Sequence, residues 1–439
     1  MQYIPNILFL IIVVVGVGFF IKNCKKIIRN INLGQKIDPI DQKKTRWNNV
    51  LRIAFGQSKM VARPLSGFLH IIVYVGFIII NIEVLEIIID GLFGTHRIFS
   101  GLGVFYDILI GSFEVLAFLV LLSVILFWIR RNFKKIKRFW SPEMEGWPKN
   151  DANIILYFEM ILMSLFLLMN VTDYQLQLLG SDHYNLAGSF PVSSYLLPIF
   201  ENLSESSLII LERTAWWLHI IGIFIFLNYL YYSKHLHILL AFPNVYYGSL
   251  EAKGKFKNLE SVTNEVKMMM DPNIDPFAVS SSEAEVPAKF GASDVLDLNR
   301  TQLLNAYTCT ECGRCTSNCP ANQTGKKLSP RKIMMDTRDR LEEIGRNIDR
   351  NGEFKNDDKQ LLDNYITREE LWACTTCNAC VESCPISINP MSIIMDMRQY
   401  LVMEQSAAPN ELNISMTNIE NNGAPWPYNQ MDRLNWKKD

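Results

Sequence analysis

Eight of the nine cysteines in this sequence fall into two copies of one pattern, C-x2-C-x2-C-x3-C-P. The first copy is Cys309, Cys312, Cys315 and Cys319 before Pro320, and the second is Cys374, Cys377, Cys380 and Cys384 before Pro385. Three closely spaced thiolates of such a run bind one [4Fe–4S] cluster, and the fourth cysteine binds the cluster of the other run. We therefore expect one cluster on Cys309, Cys312, Cys315 and Cys384, and a second on Cys374, Cys377, Cys380 and Cys319.

Zinc is the alternative metal for such cysteines. A tetrahedral zinc site takes four ligands, usually as paired C-x2-C units, whereas two runs of four thiolates suit cubane clusters. Cysteines that bind metal and do not form disulfides indicate a reducing compartment. The ninth cysteine, Cys24, follows an apolar segment without a lipoprotein-type cleavage context, and we give it no part in this chemistry.

The 439 residues divide into an apolar half and a polar half. Long apolar runs dominate up to about Leu240, and the chain is polar and charged beyond Glu251. The net charge of −1 gives no indication of nucleic acid as a partner. Because the polar half contains no G-x-G-x-x-G fingerprint, we expect no flavin or nicotinamide site on this chain.

Five segments are long and apolar enough to span a bilayer, so we expect an all-α fold: a five-helix transmembrane bundle followed by a cytoplasmic helical ferredoxin domain with two clusters. The segments are Ile4–Ile21, Leu65–Ile89, Val104–Ile129, Ala152–Val171 and Leu208–Leu240. Eleven Lys or Arg lie between the first two spans and seven between the third and fourth, but the remaining loops hold only Arg97. By the positive-inside rule the N-terminus lies outside and the clusters lie in the cytoplasm, and we expect the protein in the cytoplasmic (inner) membrane.

Histidines in the membrane half are candidate haem ligands, because a polar side chain in a span usually faces inward. His70 and His237 both lie near the cytoplasmic end, so we predict that this pair binds one b-type haem. If the fifth span is one helix, His219 and His237 share a face about 27 Å apart and His235 points away from it. His219 and His235 are therefore less favoured ligands. Alternatively, His235 and His237 lie at the headgroup level and bind no haem.

His219 has no histidine at its depth on the second span. It is a candidate to bind haem with a different partner or to hydrogen-bond a quinone. The intramembrane carboxylates of Glu83, Glu86, Glu114 and Glu159 are candidates to carry protons to or from that quinone. The alternative is that these carboxylates are interhelical hydrogen-bond partners, or that they are solvated near the interface.

The polar half contains an internal repeat. Each cysteine run precedes an N-cap and first-turn signal, Ser329-Pro330 after the first run and Asn389-Pro390 after the second, so each run leads into a helix. The segment from residue 331 to about residue 350 predicts an exposed, charged helix.

Thr367 and Glu370 form a capping-box pattern, which predicts one more helix before the second run. We divide the chain into a membrane domain (1–243), a linker (244–292), a ferredoxin domain (293–404) and a partner-docking tail (405–439).

The segment from Phe290 to Pro320, which ends in CTECGRCTSNCP, resembles the ferredoxin part of heterodisulfide-reductase-like membrane proteins. The motifs LSP at 328–330 and WACTTC at 372–377 extend this likeness. The membrane half resembles the gamma subunit of respiratory nitrate reductase, a five-helix cytochrome b. That resemblance implies four haem-binding positions, of which three are occupied by His70, His219 and His237 and the fourth by Ile80. It also implies a quinone near the outer haem.

In fused relatives of this kind, a tail like the one from Asn418 to Trp436 continues into cysteine-rich CCG domains. The resemblance therefore implies a separate cytoplasmic partner, either a CCG-domain iron–sulfur subunit or a flavoprotein. We expect a membrane-bound oxidoreductase subunit, embedded in lipid, that conducts electrons between this partner and the quinone pool through two [4Fe–4S] clusters and a haem b. The alternatives are a membrane-anchored redox sensor or scaffold without quinone turnover, and an ion-translocating subunit that uses Glu83, Glu86 and Glu114.

Overall fold

A computed structural model describes residues 3–36, 41–252, 254–256, 258–271 and 289–437. Within these ranges the regular structure is helical, and the only β-type pairings are two isolated bridges. The predicted all-α fold is therefore confirmed.

The membrane half contains six α-helices, five of which are long and apolar enough to cross a membrane. The six are α1 Ile4–Asn32, α2 Lys43–Asn49, α3 Pro64–Phe93, α4 Val104–Asn132, α5 Trp147–Leu179 and α6 Glu205–Tyr229. The short α2 is the exception, and a 3-10 turn extends α6 to Tyr232. Proline occupies the first turn of α1, α3 and α5, where its missing N–H costs no intrahelical hydrogen bond. The five predicted spans are thus found.

The fifth span ends earlier than the sequence suggested. The backbone of Ser233 is extended, with φ −111° and ψ 146°, and its hydroxyl accepts a hydrogen bond from the N–H of His235. A separate helix, α7 (His237–Tyr247), begins after this break. The expectation that His219 and His237 share one face of one straight helix is therefore wrong. The proposed boundary at residue 243 also falls inside α7.

The polar half is built from short helices around the cysteine runs. Its helices are α8 Glu260–Met270, α9 Arg300–Thr308, α10 Arg314–Ser317, α11 Pro320–Gln323, α12 Pro330–Asn351, α13 Leu361–Asn364, α14 Arg368–Trp372, α15 Ala379–Ser383, α16 Pro390–Met403 and α17 Asn410–Asn422. The predicted linker thus contains α8, and its residues 272–288 lie outside the described chain. A 3-10 segment, Gln430–Lys437, follows α17.

The predicted helix starts of the polar half are confirmed. The Ser329 hydroxyl accepts from the N–H of Lys332 at the start of α12, and the Asn389 side chain accepts from the N–H of Ser392 at the start of α16. Thr367 and Glu370 form both hydrogen bonds of a capping box before α14. Local sequence is sufficient here because each cap satisfies backbone groups of its own helix.

Helix α12 is not the exposed helix that its charges suggested. Arg331 and Arg340 are completely buried. Arg331 donates to Glu143 at 2.6 Å, while Arg340 donates to Asp294 at 2.8 Å and to Asp357 at 2.6 Å. The prediction was wrong because these carboxylates come from other segments, and they compensate the cost of burying the guanidinium groups.

The two halves share one apolar core. Ile27 of α1 and Leu230 after α6 belong to the same buried cluster as Leu303 and Ile333 of the polar half. Polar contacts reinforce the junction at the end of α1, where Asn30 donates to the Tyr307 hydroxyl at 2.8 Å. The polar half, which carries both cysteine runs and is called the cluster half below, therefore packs directly against one end of the membrane helices.

Candidate functional site

The eight cysteines of the two runs lie in two groups of four. Cys384 lies within electrostatic range of Cys309, Cys312 and Cys315. Cys319 lies within electrostatic range of Cys374, Cys377 and Cys380. The fourth cysteine of each run thus lies near the three closely spaced cysteines of the other run.

The cysteine loops depend on left-handed backbone at a few residues. Gly313 has φ +68° and Asn378 has φ +60°, at equivalent places in the two runs. Both residue types tolerate this region, which lets each loop turn sharply and direct successive thiols inward. Backbone N–H groups also approach the sulfurs: that of Thr376 lies 3.4 Å from Cys374 Sγ, and that of Ile388 lies 3.3 Å from Cys384 Sγ.

The thiols need a cation to become ligands. Burial raises the pKa of Cys309 and Cys380 to about 12 and that of Cys384 to about 11. Thiolates at neutral pH therefore require nearby positive charge, which the irons of a cluster supply. Among the described residues, no three His, Cys, Asp or Glu side chains converge closely enough for a single metal ion. This donor set suits cubane clusters better than zinc.

The two groups differ in their surroundings. Cys377 of the second group is exposed to solvent. The first group faces the membrane half, because Arg314 donates to the Lys59 carbonyl at 3.1 Å and Arg63 donates to the Ser317 hydroxyl at 2.8 Å. One group is therefore open to solvent and the other faces the membrane helices.

Three histidines gather beside the first group. The rings of His235 and His237 are 5.5 Å apart, and His70 lies within electrostatic range of both. Arg314 of the first cysteine run is also within electrostatic range of His70. The expectation that His235 points away from His237 was wrong, because the helix breaks at Ser233.

Two of these histidines have the features of axial ligands. Nδ1 of His237 donates to the Lys234 carbonyl at 3.1 Å, which leaves Nε2 with its lone pair. A second hydrogen bond of this kind is usual for a metal-binding histidine. Nδ1 of His70 is buried and has no hydrogen-bond partner. Nε2 of His235 instead lies 3.6 Å from the Glu159 carboxylate. The residues fit a haem on His70 and His237.

A buried ionic junction connects the first cysteine loop to this histidine segment. Lys234 donates to Glu311, which lies between Cys309 and Cys312, and Glu311 also accepts from Arg338 at 2.7 Å. Burial lowers the pKa of Lys234 despite its carboxylate partners. Burial alone would raise the pKa of Glu311, but Lys234 and Arg338 hold it below its usual range. The junction therefore carries charge at neutral pH.

The residues suggested for quinone and proton chemistry do not form one group. Nδ1 of His219 donates to the Leu162 carbonyl at 3.0 Å, and Ile80 belongs to the apolar core of the bundle. Glu114 accepts from the backbone of Val192 at 2.9 Å and from Ser193, so it fastens a loop. These contacts already occupy the His219 Nδ1 and the Glu114 carboxylate.

Glu83 and Glu86 instead line a cavity of about 340 Å³ at the end of the bundle opposite the cluster half. Its polar lining also includes His96, Arg97, Asp173 and His183, none of which was singled out from the sequence for this chemistry. The sequence feature that could have pointed to this cavity is Arg97, which is the only Lys or Arg in the loops between the second and third spans and between the fourth and fifth.

Comparison with known proteins supports the iron–sulfur assignment. Residues 308–388 match the family model of a 4Fe-4S dicluster domain. The probable iron–sulfur-binding oxidoreductase FadF of Bacillus subtilis is 29% identical over 463 residues, which covers 99% of this chain and 61% of that protein. The EtfAB:quinone oxidoreductase of Syntrophomonas wolfei is 27% identical, over 91% of this chain and 54% of that protein.

A probable membrane-anchored ferredoxin of Chromohalobacter salexigens is 31% identical over 37% of this chain and 26% of its own length. Other relatives are subunits of heterodisulfide reductases. The chain's homologues are thus iron–sulfur oxidoreductases and heterodisulfide-reductase-like subunits. The chain spans about half to three fifths of the two relatives that match nearly all of it. No solved structure matches the chain.

Proposed function

We propose that this protein is a membrane-bound electron-transfer subunit that connects a soluble redox partner to the quinone pool. The observation that carries this proposal is the proximity of two predicted cofactor sites. Arg314, within the first cysteine run, is in electrostatic range of His70, and His70 is in electrostatic range of His237. A cluster and a haem bound there would be neighbours, as electron transfer between them requires.

The cofactors supply the one-electron chemistry, and the protein supplies ligation and order. Cys374, Cys377, Cys380 and Cys319 would hold the cluster nearest solvent, and Cys309, Cys312, Cys315 and Cys384 the cluster nearest the membrane. His70 and His237 would hold a single haem b. The junction of Lys234 with Glu311 connects the cluster site nearest the membrane to the haem site, because it fixes the first cysteine loop to the segment that carries His237.

The soluble partner meets the exposed second group. Cys377 is the exposed cysteine of the two runs, so a partner that docks there reaches the first cofactor of the series. A CCG-domain iron–sulfur protein or a flavoprotein subunit matches this requirement. The tail adds docking surface through exposed aromatic side chains, of which Trp436 is 75% exposed. The name of the Syntrophomonas wolfei relative pairs EtfAB with a quinone, which supports an electron path that joins a soluble partner to a quinone.

The basic loops define the proposed orientation. The strongly basic loops lie at the end of the bundle that contacts the cluster half, and we assign that end to the cytoplasm and the protein to the inner membrane.

The proposal is tested by measuring the iron and haem content of the purified protein and the rate at which quinone oxidises its reduced clusters. We expect about eight irons and one haem b per chain, and oxidation of the reduced clusters by added decylubiquinone or menadione in a stopped-flow experiment. His237→Leu is expected to lose the haem and slow this oxidation at least tenfold while it keeps eight irons. Cys24→Ser is the matched control, since Cys24 lies outside both groups and is expected to retain both properties.

Clusters that are present but never oxidised by quinone would sink the conduit and favour the sensor or scaffold alternative. Two haems per chain would give His219 a ligand role and require a new pairing.

A further inference from the structure

The cavity at the end of the bundle opposite the cluster half has the size of a small-molecule site. Its volume of about 340 Å³ lies within the range of ordinary ligand pockets. Four membrane helices and the loop after α3 surround it. Asn6 of α1 closes one side by donating to the Gly91 carbonyl at 2.9 Å. Because α1 also reaches the cluster half at its other end, about 40 Å separate the cavity from the clusters.

Two buried polar atoms on the cavity wall have no hydrogen-bond partner. They are Oε2 of Glu83, a residue that is only 3% exposed, and Nδ1 of His96. The neighbouring polar groups are occupied. Glu86 accepts from the Tyr106 hydroxyl at 2.9 Å, and Asp173 accepts from Arg97 at 2.7 Å. Since unpaired buried polar atoms are costly, these two orphaned atoms are available to hydrogen-bond a molecule in the cavity.

The cavity wall disfavours an anionic ligand. Carboxylates outnumber cations on its wall, where Arg97 and Arg213 are both paired with acids, so an anion is disfavoured. The Trp216 and Trp217 rings, with centroids 5.1 Å apart and planes inclined at 80°, supply aromatic surface on which an apolar ring can pack. An uncharged planar ring with two oxygens satisfies both conditions and both orphaned atoms.

The hydrogen bond of His96 leaves one ring nitrogen able to accept a proton. Its Nε2 lies 2.8 Å from Asp173 Oδ1, and because a carboxylate only accepts, Nε2 carries hydrogen and Nδ1 presents a lone pair. His183 is exposed, and the centroid of its ring lies 5.5 Å from that of the His96 ring.

We propose that this cavity binds the quinone head group, with Glu83 and His96 as the residues that exchange protons with its two oxygens. The inference rests on the proposed quinone-linked function and adds to it the site and the proton path. In the reducing direction, the quinone takes two electrons, one at a time, that reach it from the clusters by way of the haem that His70 and His237 would hold. It takes one proton from the Glu83 carboxyl and one from the His96 imidazolium, and becomes the quinol. His96 is reprotonated through His183 from the aqueous side opposite the clusters, and oxidation of quinol reverses each step.

Photolabelling of the full-length protein with an azido-substituted short-chain quinone tests the site directly. We expect the label in the peptides that contain residues 83–97 or 216–217, and competition by unlabelled decylubiquinone. Label confined to other segments, such as the surroundings of His219 or the cluster half, would overturn the assignment.

Turnover of variants tests the two proton carriers. Glu83→Gln and His96→Gln are each expected to slow quinone oxidation of the reduced clusters at least tenfold, with haem and cluster spectra unchanged as evidence of folding. Glu201→Gln removes an exposed carboxylate at the same end of the bundle and is expected to keep the wild-type rate. Wild-type rates in both test variants would overturn the inference while the proposed function stands. A wild-type protein whose clusters no quinone oxidises would overturn the proposed function itself.

Discussion

The cysteine side chains of the two runs are interleaved. Three thiols of each run lie together, and the fourth lies with the three of the other run. The clusters are therefore expected to interlock the two runs, so that loss of either cluster loosens both loops. Crossed ligation also makes the effects of two substitutions depend on which pair is combined.

Iron content of double variants distinguishes crossed ligation from ligation within each run. Cys312→Ser and Cys384→Ser should each retain about four irons per chain, and so should the double variant, because both residues belong to one cluster. Metal analysis of the purified proteins gives the count. Cys312→Ser with Cys319→Ser is the matched comparison, and we expect it to lose both clusters. The opposite pattern, with iron absent from the first pair and half retained in the second, would refute the crossing.

The buried junction at Glu311 makes a second prediction for a single residue. Glu311→Gln leaves Lys234 and Arg338 without their shared charge, and breaking a buried pair of this kind costs about 3 kcal/mol. We expect a lower melting temperature in detergent and faster loss of cluster absorbance. Glu369→Gln, which breaks an exposed pair with Lys327, is expected to change either measurement little. Equal behaviour of the two variants would contradict a structural role for the junction.

The pH dependence of the stability that Glu311 contributes follows from the direction of its pKa shift. The folded-state pKa of Glu311 is below its usual value, so the stabilisation is present at neutral pH. It is lost only as the pH falls below the ordinary glutamate range, about 4.3, toward the depressed pKa. Glu311→Gln should therefore show a smaller loss of stability on acidification than the wild-type protein.

At the scale of elements, the membrane helices approach one another through glycines. A Cβ on Gly16 of α1 would lie 2.9 Å from the Phe224 ring of α6, and one on Gly76 of α3 would lie 2.5 Å from Val120 of α4. Small residues at helix contacts allow close packing in a membrane, where no hydrophobic effect drives helices together. The position of α1 against α6 thus depends on a missing side chain.

Gly16→Val and Gly18→Val form a matched pair on α1. Position 18 has open space where a Cβ would be placed, whereas position 16 is filled by Phe224. Overpacking of this kind costs about 1–3 kcal/mol, so the melting temperature in detergent should fall for Gly16→Val alone. Because both changes carry the same helix propensity, a similar fall in both variants would argue against the α1–α6 contact.

The whole molecule places its two kinds of chemistry at opposite ends of the bundle. The cysteine groups and the three clustered histidines lie at the end with the basic loops, and the acid-lined cavity lies at the other. With the proposed orientation, electrons enter from the cytoplasm and quinone protons are exchanged outside. Turnover would then move charge across the membrane.

Reporter fusions test this orientation. Alkaline phosphatase fused after Leu102 is expected to be active, because that loop would lie outside, and the same enzyme fused after Phe139 is expected to be inactive. Green fluorescent protein fused after Lys437 should fluoresce. The reverse pattern would invert the molecule and place the clusters outside the cytoplasm.

Local sequence determined the parts of this protein that depend on neighbours in the chain. The two cysteine patterns, the five apolar spans and the helix caps at Ser329, Thr367 and Asn389 all act within a few residues, so their chemistry could be predicted directly. The tertiary structure decided what depends on distant partners. The break at Ser233 brought His235 beside His237 and fastened Lys234 to Glu311, and carboxylates from other segments buried Arg331 and Arg340. The cavity has the same origin, because Glu83, His96 and Asp173 meet only when separate helices pack, and no spacing in the sequence encodes that meeting.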